Sequence, residues 1–101
     1  MATQKQSFWQ EALGKSTPEL FKHYTELQDK IMVDGALDAK TKTLMMMLCD
    51  ALLAHNDGVA GLARRARQLG ATKEEIAETL AIAFLMGGLP GLVTGANAFR
   101  E

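Results

Sequence analysis

The chain has 101 residues, of which 48% are hydrophobic and 23% are charged, and its formal net charge is −1. This length fits one domain, which we expect to span residues 1–101, and the composition is ordinary for a globular protein. The basic excess that would neutralise a phosphate backbone is missing, which argues against a nucleic-acid partner.

Two further features bear on the compartment. Cys49 is the only cysteine, so no internal disulfide is possible, in agreement with a reducing environment. The apolar run at residues 44–49 is far shorter than the roughly 20 residues that span a bilayer. No apolar signal core follows the N-terminus. We therefore expect a cytoplasmic protein with no membrane partner.

Helix start and stop signals divide the chain into about six helices, and no stretch shows the alternation of a strand. Ser7 with Gln10 predicts a capping box for the first helix. Thr17-Pro18 is a strong start signal for the second, which Gly35 ends. Asp38 caps the third. The third and fourth helices, at 39–55 and 59–69, are expected to form a central antiparallel hairpin.

The C-terminal third carries its own signals. Thr72 and Glu75 form a second capping box, for a helix that runs to Gly87-Gly88. Pro90 starts the last helix. In that helix Gly91 and Gly95 lie four residues apart and open the same face, which predicts the close approach of another backbone.

Three stretches together resemble the carboxymuconolactone decarboxylase/alkylhydroperoxidase-D family. They are Gly-Ala-Leu-Asp-Ala-Lys-Thr-Lys at 35–42, the segment 66–72 that ends Leu-Gly-Ala-Thr, and the helix from Lys-Glu-Glu-Ile-Ala-Glu to Leu-Met-Gly-Gly-Leu-Pro at 73–90. The resemblance covers roughly residues 35–98. It implies an all-α, alkylhydroperoxidase-D-like fold and a homo-oligomer, trimeric or hexameric, with sites near subunit contacts.

The redox branch of this family is characterised by a Cys-x-x-Cys pair, a histidine four residues later and a glutamate about twelve residues earlier. Such a set ionises one thiol and lets the second resolve the disulfide. Counting from both flanks, these positions hold His55, Gly58, Leu62 and Thr43. A thiol relay cannot operate from them. The decarboxylase branch keeps the histidine, whose position is Leu62 here, so that machinery is incomplete too.

His55 is the candidate catalytic residue, because it stands where the family has its reactive thiol. It could serve as a general acid or base, or as a metal ligand. Alternatively, it is a histidine whose charge is favourable at a helix C-terminus. Asn56 and Asp57 could orient it, although Asp57 is better explained as the N-cap of the next helix. His23 is expected at the surface. We expect no cofactor and no metal.

Three other features of the third helix have simpler explanations. Cys49 is expected to be a buried, inert thiol. Residues Met45–Met47 point 100° apart, so they predict core packing and not a metal site. Asp50 lies among apolar residues and needs a partner, for which Arg64 or Arg67 is suitable. An ion pair is the main expectation, with a site residue as the alternative.

The sequence leaves open whether the chain is an enzyme. One possibility is a protein that binds or acts on a small organic molecule through His55 and without thiol redox chemistry. A second is a non-catalytic oligomeric binding or scaffold protein with a degenerate active site. The third is the nominal family activity, hydroperoxide reduction of the peroxiredoxin type or carboxymuconolactone decarboxylation.

Overall fold

A computed structural model describes residues 7–100, which form five α-helices and a short 3₁₀-helix, with no strand in that range. The elements are α1 (Phe8–Ser16), α2 (Pro18–Ile31), α3 (Ala39–Leu52), α4 (Asn56–Gln68), α5 (Lys73–Gly95) and the 3₁₀-helix (Ala96–Phe99). The predicted all-α class is confirmed. By its internal contacts the chain divides into two compact units, the N-terminal unit Met1–Val33 and the C-terminal unit Asp34–Glu101.

The N-terminal unit is a pair of helices. Gln10 Oε1 accepts a hydrogen bond from the Ser7 backbone N–H at 2.9 Å, and Pro18 occupies the first turn of α2, both as predicted. Trp9 joins α1 to α2 through edge-on contacts with Phe21 and Tyr24, whose ring centroids lie 6.3 and 5.8 Å away. The cluster holds the two helices together at their aromatic ends.

The C-terminal unit is organised around α3, which packs against both α4 and α5. Asp38 caps α3 by accepting the Thr41 N–H at 2.7 Å. The buried core is formed by small and medium side chains of these helices: Met47, Ala51, Val59, Ala63, Ala66, Ile76, Leu80 and Ala83. The opposite side of α3, with Met45, Cys49 and Leu52, is exposed. The α3 helix is therefore buried on one side only.

The junction between α3 and α4 differs from the prediction. The third helix ends at Leu52 and not at residue 55, because Ala54 adopts the left-handed conformation with φ 62°. The fourth begins at Asn56 and not at residue 59. Asn56, Asp57 and Gly58 are thus the first turn of α4 and not a break in the chain. An acidic side chain in a first turn complements the helix dipole, which explains why this polar segment is helical.

The α5 segment reverses direction in its middle. Gly88 has φ 70° and ψ −166°, outside the helical region. A Cβ placed on Gly91 would lie 2.9 Å from the Ala83 carbonyl oxygen, and one on Gly95 would lie 2.7 Å from Leu80 Cδ2. Residues eight and fifteen apart meet only if the chain folds back. The predicted stop at Gly88 is confirmed. The predicted close approach of a backbone is confirmed at Gly91, whereas the neighbour of Gly95 is the Leu80 side chain.

This reversal bears on how the segment relates to a membrane. By length and composition, Lys73–Phe99 is apolar enough to cross one, and 22% of its most apolar window is buried. Because the helix breaks at Gly88, its longer arm covers about 22 Å, less than the roughly 30 Å of a bilayer core. The segment is therefore a folded-back pair of short helices. A cytoplasmic location stays a prediction.

An ion pair links the beginnings of α3 and α5. Lys40 Nζ lies 2.9 Å from Glu75 Oε2. The Lys40 ammonium and the Thr72 backbone N–H lower the pKa of Glu75, and the Glu75 carboxylate raises the pKa of Lys40. Glu75 also completes the predicted capping box, since its Oε1 accepts the Thr72 N–H at 2.8 Å.

Replacing Gly91 by alanine tests the backbone contact within α5. The new methyl group would press on the Ala83 carbonyl, so Gly91→Ala is expected to lower the free energy of unfolding by about 1–3 kcal/mol, as overpacking does. Urea titration measures it. Gly35→Ala is the matched control, since a Cβ at Gly35 meets no atom within 4 Å. Equal stability of the two variants would contradict the close approach.

The Lys40–Glu75 pair predicts a pH dependence of stability. Because the pKa of Glu75 is lowered from 4.5 on folding, its stabilising effect is present above pH 4.5 and is lost as the pH falls through the folded value. Glu75→Gln keeps the capping oxygen but removes the charge, so we expect a smaller loss of stability between pH 5 and acid. Glu74→Gln, on the same turn, serves as control and should follow the unmodified chain in urea titrations.

Candidate functional site

His55 lies in the turn between α3 and α4, and backbone geometry fixes its position. The His55 N–H donates to the Asp50 carbonyl at 2.9 Å across the left-handed Ala54. This is the Schellman ending of a helix. The same ending closes α4, where the Ala71 N–H donates to the Ala66 carbonyl at 2.9 Å across Gly70. Alanine thus stands where the second turn has the usual glycine.

The turn also joins the two side chains. His55 Nδ1 lies 2.8 Å from Asp50 Oδ1. Because a carboxylate only accepts hydrogen bonds, Nδ1 carries the hydrogen and the lone pair of the neutral ring is on Nε2. The His55 side chain is 57% exposed and that of Asp50 is 24% exposed. An imidazole held by a carboxylate on one nitrogen has the other available for proton transfer.

Gly58 provides the space for the Asp50 carboxylate. A Cβ built on Gly58 would overlap Asp50 Oδ2, so the carboxylate lies against the first turn of α4. The partner predicted for Asp50, Arg64 or Arg67, is wrong: Asp50 pairs with His55, and Arg67 donates to the Ala98 carbonyl at 2.8 Å.

The C-terminal segment adds polar contacts beside this turn. Asn97 Nδ2 donates to Asn56 Oδ1 at 3.2 Å, and the Arg100 guanidinium lies 3.0 Å from Asp57 Oδ1. Asp57 was predicted to be the N-cap of the helix, and this is wrong, since the N-cap position is His55. Asp57 instead occupies the first turn and pairs with Arg100. The beginning of α4 is therefore held by residues that follow α5.

The other positions aligned with the family's reactive set have structural roles. Thr43 is fully buried and donates its hydroxyl to the Ala39 carbonyl at 2.8 Å. Leu62 is partly buried against the core. The Asp50 carboxylate occupies the space beside Gly58. Of the four positions, only His55 presents a chemically active and exposed side chain.

The prediction for Cys49 is wrong. Cys49 was expected to be buried, and it is exposed. The reason is helical geometry: Met47 and Ala51 point into the core, and Cys49, midway between them in sequence, lies on the other side of α3. The methionines divide in the same way, with Met47 buried and Met45 half exposed. His23 is exposed on α2, as expected.

An open depression of about 530 Å³ lies away from His55. It is lined by Leu44, Glu75, Glu78, Thr79, Ala81 and Ile82. Within residues 7–100, no three His, Cys, Asp or Glu side chains are grouped as metal ligands would be. The Asp50–His55 pair is therefore the candidate site, and it lies at the surface of the single chain.

The Asp50–His55 pair was missed in the sequence. Residues five apart do not share a helix face, so helical periodicity separates them. They meet because the helix ends between them. A short pattern in the sequence could have indicated the pair. An acidic residue in the last turn of the helix is followed by a polar Asn-Asp-Gly stretch, which is typical of a helix end. Ala54 gives no such signal, since alanine favours helix.

The same fold is found in crystal structures of other proteins. A carboxymuconolactone decarboxylase family protein from Legionella pneumophila superimposes with a TM-score of 0.83 at 34% identity, covering 89% of this chain and 80% of that one. A Burkholderia xenovorans protein superimposes with a TM-score of 0.85 at 22% identity, covering 92% and 74%, and shows the fold alone.

Sequence comparison identifies the family. The model of the carboxymuconolactone decarboxylase family matches residues 18–101. The chain belongs to this family, which confirms the resemblance. An uncharacterised protein of Cupriavidus necator is 31% identical over 87 residues, covering 86% of this chain and 77% of the relative. One of Methanocaldococcus jannaschii is 25% identical over 91 residues, covering 90% and 85%.

The two Schellman turns predict opposite effects of exchanging alanine and glycine. Ala54→Gly removes the cost of a left-handed alanine and is expected to raise the free energy of unfolding by about 1 kcal/mol. Gly70→Ala introduces that cost and should lower it by a similar amount. Thermal and urea unfolding of both variants measure the effect. Destabilisation by Ala54→Gly would show that the turn does not hold Ala54 in this conformation.

Proposed function

We propose that the protein binds and acts on a small organic molecule, with His55 as general acid and base and without thiol redox chemistry. The single observation that supports this is the 2.8 Å contact between His55 Nδ1 and Asp50 Oδ1. The carboxylate fixes the orientation and tautomer of the ring and stabilises the imidazolium that forms when Nε2 takes a proton. Such an arrangement suits proton transfer at an acidic C–H or an O–H group.

Thiol chemistry is disfavoured by the residues present. Cys49 is the only cysteine of the chain, so no second thiol of the same chain can resolve an oxidised Cys49 as a disulfide. It lies on an exposed, mostly apolar face with Met45 and Leu52. Neither of these two side chains carries a charge. The nominal hydroperoxide reductase activity is therefore the weaker alternative.

The site we propose works within a cytoplasmic homo-oligomer, a trimer or hexamer. A small-molecule site normally encloses most of its ligand, whereas the His55 side chain is 57% exposed. Large apolar side chains are exposed close by in sequence, among them Leu52 and Leu53. A subunit contact that covers them would also restrict water at His55.

A second candidate function is non-catalytic binding or scaffolding, with a degenerate active site. The exposure of His55 favours this function, because an imidazole surrounded by water is hardly a better catalyst than a free imidazole in the buffer. The two candidates differ in one respect that can be measured. The enzyme requires the imidazole of His55, whereas the scaffold requires only the fold.

Solvent-deuterium exchange into a panel of carbon acids tests the proposal. The panel contains keto acids and unsaturated lactones, followed by NMR. We expect exchange with at least one compound, and a loss of about 10²–10⁴-fold in His55→Gln, the range of general acid–base catalysis. Asp50→Asn should lower the rate less, since the ring remains.

The chain supplies matched controls. His23→Gln removes the other histidine, which is exposed on α2, and should exchange at the unmodified rate. Cys49→Ser should do the same. Exchange that survives in His55→Gln would refute the role of His55. Hydroperoxide turnover that disappears in Cys49→Ser would refute the absence of thiol chemistry. If no compound exchanges but the oligomer persists, the scaffold function is supported instead.

A further inference from the structure

The open depression described above lies where the first arm of α5 packs against α3, and we call it the α3–α5 depression. Both helices belong to the C-terminal unit, whose internal packing therefore defines its shape. Its volume of about 530 Å³ is within the roughly 300–1,000 Å³ of sites that bind small organic molecules. Its lining consists of Leu44, Glu75, Glu78, Thr79, Ala81 and Ile82.

Half of this lining is apolar. Leu44, Ala81 and Ile82 contribute hydrocarbon side chains. Leu44 is partly buried against the core, whereas Ile82 keeps 46% of its surface exposed. An apolar group that entered the depression would remove this surface from water, which is favourable. The lining therefore favours a ligand with an apolar body.

The two carboxylates of the lining differ in their partners. Glu75 uses both oxygens, since Oε1 accepts the Thr72 N–H at 2.8 Å and Oε2 pairs with Lys40 Nζ at 2.9 Å. The Glu78 carboxylate has no hydrogen bond and no ion pair with any residue from 7 to 100. One negative charge at the depression is thus left without a counter-charge within the described range.

The side chains of the lining offer acceptors and no spare donor. The Thr79 hydroxyl donates to the Glu75 carbonyl at 2.8 Å, and an ionised carboxylate only accepts. An anionic ligand would therefore meet negative charge without a donor. A neutral apolar ligand would cover the Glu78 carboxylate and leave it unpaired, which is costly. An ammonium group supplies both the donors and the missing positive charge.

We propose that the α3–α5 depression binds a small amphipathic cation, a primary amine with an aliphatic or aromatic body. Its ammonium group pairs with the Glu78 carboxylate, and its body covers Leu44 and Ile82. The site lies away from His55. It is therefore a second site, independent of the acid–base chemistry proposed for the Asp50–His55 pair.

Methyl NMR of the full chain tests the proposal with 4-phenylbutylamine as the probe. Leu44, Thr79, Ala81 and Ile82 place methyl groups in the lining and report binding directly. We expect their signals to shift saturably, with a dissociation constant on the order of 1 mM for so small a ligand. The alcohol 4-phenylbutanol and the anion 4-phenylbutyrate have the same body and should bind at least about threefold more weakly, as loss of an exposed ion pair implies.

Substitutions separate the two parts of the contact. Glu78→Gln keeps the size and removes the charge, so it should weaken binding of the amine about three- to fivefold and remove the preference over the alcohol. Glu74→Gln is the matched control, because it removes the same charge one turn earlier and outside the lining. It should weaken binding less than about twofold. Ile82→Ala should weaken amine and alcohol alike, and His55→Gln should bind like the unmodified chain.

Several outcomes would overturn the proposal. Shifts that centre on Leu85 and Leu89 would show that the probe binds exposed apolar side chains elsewhere. Equal binding of amine and butyrate, or an unchanged preference in Glu78→Gln, would exclude the ion pair. Absence of saturable shifts up to the solubility of the amine would show that the depression takes no such ligand, whatever else covers it. Because Glu78 is exposed, its variant should fold, and the methyl spectrum reports this in the same experiment.

Discussion

The contact on which the C-terminal unit depends is the approach of the α5 backbone to itself. Gly91 lies against the Ala83 carbonyl, and Gly95 lies against Leu80, because Gly88 turns the chain back. Without side chains at the two glycines, the arms come closer than any larger residue allows. The reversal returns the 3₁₀-helix to α4, with which it makes extensive contact. Asn97 and Arg100 then reach the first turn of α4.

Much of this architecture could be predicted because it is encoded locally. The cap at Asp38, the box at Thr72 and Glu75, and the break at Gly88 each depend on a few adjacent residues. The glycine pair in α5 predicted a close approach, although not which backbone would approach. Residues with special conformational or capping chemistry therefore located most of the helix ends.

The errors at the junction of α3 and α4 have a common physical cause. The junction at residues 53–58 was misplaced because Ala54 adopts a conformation that alanine normally avoids. Two further predictions were wrong because of this misplaced junction. His55 occupies the N-cap position of α4, and the partner of Asp50 lies in the adjoining turn and not on α4. The exposed side of α3 could not be predicted from apolar composition, since residues that cover another surface and residues that form a core are the same types.

For the candidate site, a histidine alone was predictable and its partner was not. The family shows where reactive groups would lie, and this chain has His55 there, in contact with a carboxylate. The family's other positions are occupied by a buried threonine, a core leucine and a glycine that makes room for Asp50. The polar groups are gathered at one turn.

The short separation of Asp50 and His55 along the chain determines how the pair responds to substitutions elsewhere in the protein. Asp50 and His55 lie within six consecutive residues, so bringing them together closes only a very short loop and costs little chain entropy. The same backbone turn sets the distance between them. Substitutions in the distant core can therefore alter the stability of the protein while the pair keeps its geometry.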